Sequence, residues 1–171
     1  VYADDISFFS MAIDLYSLYE FLQSYLTKLE GLLDSLLLNL NANKCAILVF
    51  PVKDPVYISL NYHLEDIPQV QSLKYLGVIY NGNLNWRPHI EYIATKGART
   101  MGISRKLSNR RTGMRRKSLL MVYKMYVRPV LEFGCVLFSG VPSYKLRPLV
   151  LLEREALRLG LGLPKYVAMP Y

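Results

Sequence analysis

The stretch LKYLGVIYNGNLNWRPHI (Leu73–Ile90) contains the change of character on which the fold turns. It opens inside a run rich in β-branched and aromatic residues, and Val70–Tyr80 reads as a strand or a strand pair. Asn81-Gly82-Asn83 is a turn signal. Asn85 can then cap a helix whose first turn holds Pro88, a position where the missing N–H of proline costs nothing. That helix is expected to run to about Leu107. The chain therefore reads as α+β, with a mixed α and β part, Val1–Leu84, followed by an all-α part, Asn85–Tyr171.

Upstream of this junction, Leu15, Tyr19, Leu22, Leu26, Leu29, Leu33 and Leu36 recur at spacings of three and four, which predicts a long helix with one apolar face. Asn39, Asn41 and Asn43 end the pattern. Ile6–Ser10 reads as a short β run, Cys45–Phe50 as a buried strand and Pro55–Leu60 as an alternating strand. Glu65–Gln69, which contains Pro68, reads as a loop. Downstream, helices are expected at Gly113–Tyr126, Pro129–Phe138 and Lys145–Leu159, with Gly160 and Pro164 as stop signals for the last.

The 171 residues suffice for one domain or two small lobes, and the 52% hydrophobic content argues against disorder. The net charge of +8 is unevenly spread. Val1–Thr95 holds 5 basic and 10 acidic residues, whereas Lys96–Tyr171 holds 16 basic and 3 acidic. Such asymmetry points to a polyanion partner for the second part, nucleic acid ahead of an anionic membrane. The run from Lys96 to Arg128 contains 11 basic residues and no acid. It includes Lys96, Arg99, Arg105, Lys106, Arg110, Arg111, Arg115, Arg116 and Lys117. Solvated helix faces usually mix signs, so a single-sign cluster favours a phosphate backbone. The most apolar stretch, Leu119–Val141, carries Lys124, Arg128 and Glu132, which argues against a membrane span. Cys45, Cys135, His63 and His89 fall at no metal-ligand spacing. They predict neither a disulfide nor a zinc site, and a reducing compartment is the simpler reading.

Near the start stands VYADDISFF (Val1–Phe9), with Asp4 and Asp5 between strand-like residues. A polar hairpin tip explains such a pair. So does a divalent cation, because adjacent carboxylates disfavour each other's ionisation and Mg²⁺ takes hard oxygen ligands while leaving room for substrate phosphates. Tyr2-Ala3-Asp4-Asp5 resembles the Tyr-x-Asp-Asp box of reverse transcriptases. LLLNLNANKCAILVF (Leu36–Phe50) resembles the helix-turn-strand that follows the box in the palm of non-LTR (LINE-type) retrotransposon polymerases. Leu73–Ile90 is similar to their next element, a "YLGV" hairpin followed by Leu-x-Trp and His-Ile. LLMVYKMYVRPVLEFGCVLFSG (Leu119–Gly140) looks like the family's thumb helices, and LLEREALRLGLGLPKY (Leu151–Tyr166) like a downstream helix ending in Gly-x-Pro-Lys. The resemblance runs in order along nearly the whole chain.

The resemblance implies a partial polymerase palm, an antiparallel sheet with a long helix, followed by a thumb-like helical region. Asp4 would bind catalytic Mg²⁺, with Asp5 supporting the same metal site. Lys44 would approach the departing pyrophosphate as a cation or proton donor; a solvated lysine at a strand start is the ordinary alternative. Tyr2 would lie near the nucleic acid, or be a strand aromatic. The hairpin containing Tyr75 and Gly77 would grip the primer end, although a turn-adjacent strand glycine is equally ordinary. Trp86 reads as a packing residue rather than a base-stacking one. The basic helices would hold the RNA template and DNA primer, with a dNTP as the incoming substrate of the complete enzyme.

In the family a further metal-binding Asp precedes the box, and here the box starts at the second residue. The expectation is therefore a C-terminal palm and thumb fragment, inactive alone, inside the cell. A non-catalytic nucleic-acid-binding module and a decayed transposon remnant are the alternatives.

Overall fold

The computed structural model describes residues 5–50, 56–63, 65–108 and 113–164. The chain divides into two compact units, Val1–Leu73 and Lys74–Tyr171, each with its own apolar core. The mixture of helices and small strands is the expected α+β class.

The first unit is built on α1 (Leu15–Ser35), opened by Asp14. Its carboxylate accepts from the Ser17 N–H at 3.0 Å and the Ser17 hydroxyl at 2.8 Å. The Ser17 N–H, first among these donors, holds Asp14 below the usual carboxylate range. The leucine stripe is only partly a core face. Leu26 is buried and Leu18 and Leu22 pack beside it, while Leu15, Tyr19 and Leu36 are exposed. β1 (Leu60–Tyr62) pairs antiparallel with β2 (Glu65–Ile67), setting Leu60 opposite Ile67. Leu60, Tyr62 and Ile67 join Leu26 and Ile58 in the core.

Four strand expectations need correction. Glu65–Ile67 is a strand rather than a loop, and Pro68, unable to donate to a ladder, ends it. Ile6–Ser10 forms no strand. Of the strand expected at Pro55–Leu60, Pro55 lies outside the described residues, Val56–Ser59 form no strand and Leu60 opens β1. Cys45–Phe50 makes a single parallel bridge, Ile47 to Gln69. Two glutamine side chains explain the short ladders. Gln69 accepts from the Ile58 N–H at 2.8 Å and donates to the Val56 carbonyl at 2.7 Å. Gln23 accepts from the Asn61 N–H at 3.1 Å and donates to its carbonyl at 2.9 Å. Each side-chain amide satisfies backbone groups that another strand would otherwise pair.

A second two-stranded sheet joins β3 (Ser72–Tyr75), within which the unit boundary falls, to β4 (Val78–Asn81). The run read as a strand or strand pair is thus a pair. Its two-residue turn has Leu76 at φ 48° and Gly77 at φ 85°, the double positive φ of a type I′ hairpin. Then comes α2 (Arg87–Leu107), with Pro88 in its first turn and the Asn85 side chain accepting from the Arg87 N–H at 3.2 Å. His89, Ile90, Ile93, Gly97, Met101 and Ser104 are buried along one face, and α2 packs chiefly on α5 (Ser143–Leu161).

Between these helices the chain departs from the expected pattern. α3 (Arg116–Val122) continues through a π-helical turn, Tyr123–Val127, into α4 (Arg128–Leu131), with no break before Pro129. Proline cannot continue the ladder and needs space at the carbonyl four residues earlier; the wider turn supplies it. The helix expected at Pro129–Phe138 instead ends at Leu131, and Gly134 at φ 74° leads into a 3-10 turn, Cys135–Phe138. Gly160 does not stop α5 but is buried within it. A Cβ there would lie 2.6 Å from Leu120 Cδ2, so glycine permits the approach of α3, and Gly162 at φ 68° caps the helix. Among the described residues no helix is long and apolar enough to cross a membrane.

Candidate nucleic-acid interface

The outward face of α2 follows from its inward one. With Ile90, Ile93, Gly97 and Met101 buried, helical periodicity turns Lys96, Arg99 and Lys106 away from the core, while the Tyr92 ring packs at its edge. Lys96, Arg99 and Lys106 are exposed and Tyr92 is half-buried. From β3, Lys74 reaches this face. Its Nζ donates to the Tyr92 hydroxyl at 3.0 Å and stands 4.6 Å from the centre of the ring. The hydrogen bond and charge of Lys74, then the charges of Lys96 and Arg99, hold the Tyr92 phenol below its ordinary range. Lys74 is the cation in contact with that oxygen, and Lys96 and Arg99 stand on the same helix face. Among the described residues, no carboxylate forms an ion pair with Lys74, Lys96 or Arg99.

Other basic residues are committed elsewhere. Arg105 makes a two-pronged contact with Glu155 of α5, Nε to Oε1 at 2.6 Å and Nη2 to Oε2 at 2.8 Å. That hydrogen bond and charge raise the guanidinium pKa. The Arg116 guanidinium lies against Gly162 at the end of α5, where unpaired helix carbonyls favour a cation. Arg87 pairs with Glu91 at 2.8 Å and Arg128 with Glu132 at 2.6 Å. Arg115 and Lys117 are exposed at the start of α3. The Met114 N–H donates to the Leu107 carbonyl at 2.8 Å, bringing Arg115 close to the Lys106 end of α2. Arg110 and Arg111 lie outside the described residues.

In the hairpin, Tyr75 is half-buried, and a Cβ on Gly77 would lie 3.0 Å from the Phe133 ring. Trp86 packs on the core of the second unit and meets Tyr80 edge-on at 5.8 Å. Below the hairpin, His89 is fully buried. The Ile79 N–H donates to its Nδ1 at 3.4 Å, so Nε2 carries the proton; Nε2 makes no well-formed hydrogen bond among the described residues. Burial pushes the imidazole pKa down, offset in part by the Phe133 carbonyl.

In the first unit, Lys44 is exposed at the end of a 3-10 turn, Ala42–Lys44, and Asp5 is exposed. Tyr2 and Asp4 lie outside the described residues. Among the described residues, no group of three histidines, cysteines or carboxylates is placed to hold a metal ion. Asp5 alone is no metal site.

Lys74 and Tyr92 were not singled out by the sequence reading. Tyr92, Lys96 and Arg99 stand at i, i+4 and i+7, so their common face was readable. The reach of Lys74 across 18 residues of chain was not.

The chain is 26% identical over 168 residues to the probable RNA-directed DNA polymerase from transposon BS of Drosophila melanogaster. It is 25% identical over 168 residues to the RNA-directed DNA polymerase from mobile element jockey of Drosophila funebris. Each match covers 97% of this chain and 18% of the relative, so the chain spans under a fifth of their length. No family model and no solved structure matches. These weak similarities relate the chain to part of the polymerases of mobile elements.

Proposed function

We propose that the chain is the palm and thumb portion of a non-LTR retrotransposon RNA-directed DNA polymerase, and that its second unit holds the template–primer duplex. The observation that carries this reading is the similarity to two transposon polymerases along 97% of the chain. The outward face of α2 supports it physically: cations without carboxylate partners suit a phosphate backbone and carry little sequence information. Lys96, Arg99, Lys106, Arg115 and Lys117 contact RNA template and DNA primer in this reading. Tyr2, Tyr75 and Gly77 lie by the primer end.

Asp4 and Asp5 would hold Mg²⁺, which when bound neutralises charge as a dNTP is joined to the primer 3′-hydroxyl. The exposed Lys44 would supply a cation or proton to the leaving pyrophosphate. The test is RNA-templated dNTP incorporation by the polymerase that carries this segment, with Asp4→Asn as the variant. Loss of a metal ligand should cut the rate by roughly 10²-fold or more. Equal incorporation by both proteins would remove Asp4 from the metal site. The basic face by itself also fits a second reading, a nucleic-acid-binding module without catalysis. Hybrid binding with no incorporation at any Mg²⁺ concentration would favour it.

A further inference from the structure

We infer that Lys74, Tyr92, Lys96 and Arg99 form a binding site for a single backbone phosphate of a nucleic-acid duplex, with the Tyr92 hydroxyl as its central donor. The inference rests on the duplex-holding reading above and deepens it. It turns a basic face into one located contact, and it adds two residues from different elements. The Tyr92 hydroxyl oxygen accepts from Lys74 Nζ at 3.0 Å, which leaves its own proton free to point outward. Lys74 Nζ, 4.6 Å from the ring centre, sits on the hydroxyl side of the ring. Lys96 lies one turn further along α2 and Arg99 nearly two, on the same face, and both are exposed.

Four donor groups thus share one face, three of them charged. The unit's other arginine contacts with Glu91, Glu132 and Glu155 leave this face untouched. A phosphodiester fits that inventory. It brings one negative charge and two free oxygens, enough to take a hydroxyl donor and a cation together. A matched contrast stands in the first unit. Lys28 is 5.6 Å from the Tyr25 ring centre, in a part of the chain where acids outnumber bases. A lysine over a tyrosine is thus present there without the flanking cations.

The experiment measures binding of a fluorescent RNA–DNA hybrid by the whole 171-residue chain across a salt series. Tyr92→Phe removes one proton donor while keeping the ring, and should weaken binding about tenfold at fixed salt without changing the salt slope. Lys74→Gln should reduce the slope by about one. Combining the two should cost less than the product of the single losses, because the lysine orients the hydroxyl. Lys28→Gln should leave affinity and slope as they are. If Tyr92→Phe and Lys74→Gln bind like the parent while the parent still shows a steep salt response, the site is wrong and the duplex-holding reading stands. If the parent itself binds without salt dependence, that reading fails first. If inorganic phosphate binds the parent but not Tyr92→Phe, and does so without displacing the hybrid, the cluster belongs to a free anion and the inference is overturned.

Discussion

His89 shows how one residue can carry a pH dependence that the sequence does not advertise. Its ring is fully buried against Tyr92, Phe133 and Phe138, at centroid distances of 6.4, 6.3 and 5.9 Å. A charged imidazole there would lose its hydration with no acid to meet it among the described residues, so burial lowers the pKa from the ordinary 6.5. The sign follows from proton counting. Below about pH 6.5 the unfolded chain binds a proton that the folded chain refuses. Stability is full above that pH and falls as pH drops, by up to about 1.4 kcal/mol per unit, until the lowered folded pKa is reached. Urea midpoints of the parent and of His89→Leu between pH 8 and pH 5 test this. The parent should lose stability over that range more steeply than the variant, and parallel curves would place the titration elsewhere. In the sequence His89 was an isolated histidine. Nothing local distinguishes a buried one from an exposed one, because its neighbours Phe133 and Phe138 come from far along the chain.

At the scale of elements, legibility followed period and length. α1 and α2 were readable almost to their ends, because each carries an apolar repeat over five turns; Asn85, expected to cap α2, instead stands one residue before the Trp86 cap position and accepts from the Arg87 N–H. The short strands were not. Three residues give too little alternation to read, and the hydrogen bonding that a longer sheet would advertise is done by Gln23 and Gln69. The π turn before Pro129 was illegible for a different reason: proline forbids a regular helix but does not say how the chain will accommodate it. The β3–β4 hairpin lies between these cases. Its glycine was visible, yet the turn places a leucine, exposed at 46%, at φ 48°, where asparagine would sit with less strain. Left-handed backbone costs an ordinary residue roughly 1–2 kcal/mol. Leu76→Asn should therefore raise stability, by about 0.5–1 kcal/mol once the lost apolar contact is deducted. Gly77→Ala should lower it by about 1–2 kcal/mol, because the left-handed strain is joined by contact with the Phe133 ring. Denaturant curves would check the pair. Equal stability of all three proteins would mean that the turn is not the two-residue one described.

For the whole molecule, charge divides along the same line as packing. Val1–Leu73 has 3 basic and 9 acidic residues, whereas Lys74–Tyr171 has 18 basic and 4 acidic. The class of partner was legible from that count, but not which cations are available, since that depends on side chains meeting across helices. Arg105 and Glu155 are 50 residues apart in the chain, and no run of charges announces their contact. Net charge and the exposed cations of α2 and the start of α3 can be separated as causes of duplex binding. Substituting glutamine at Lys96, Arg99, Arg115 and Lys117 removes four cations that have no ion-pair partner among the described residues. If each contacts a phosphate, the slope of log affinity against log salt should shrink by about 3–4. Substituting glutamine at Arg87 and Arg128 removes two charges of the same sign, already held by Glu91 at 2.8 Å and Glu132 at 2.6 Å. Such exposed pairs contribute about 0–1 kcal/mol to stability, so the fold survives their loss, and the slope should change by less than about one. Equal loss of slope per charge in the two sets would mean that overall positive charge attracts the duplex and that no surface formed by α2 and the start of α3 is specially shaped for it.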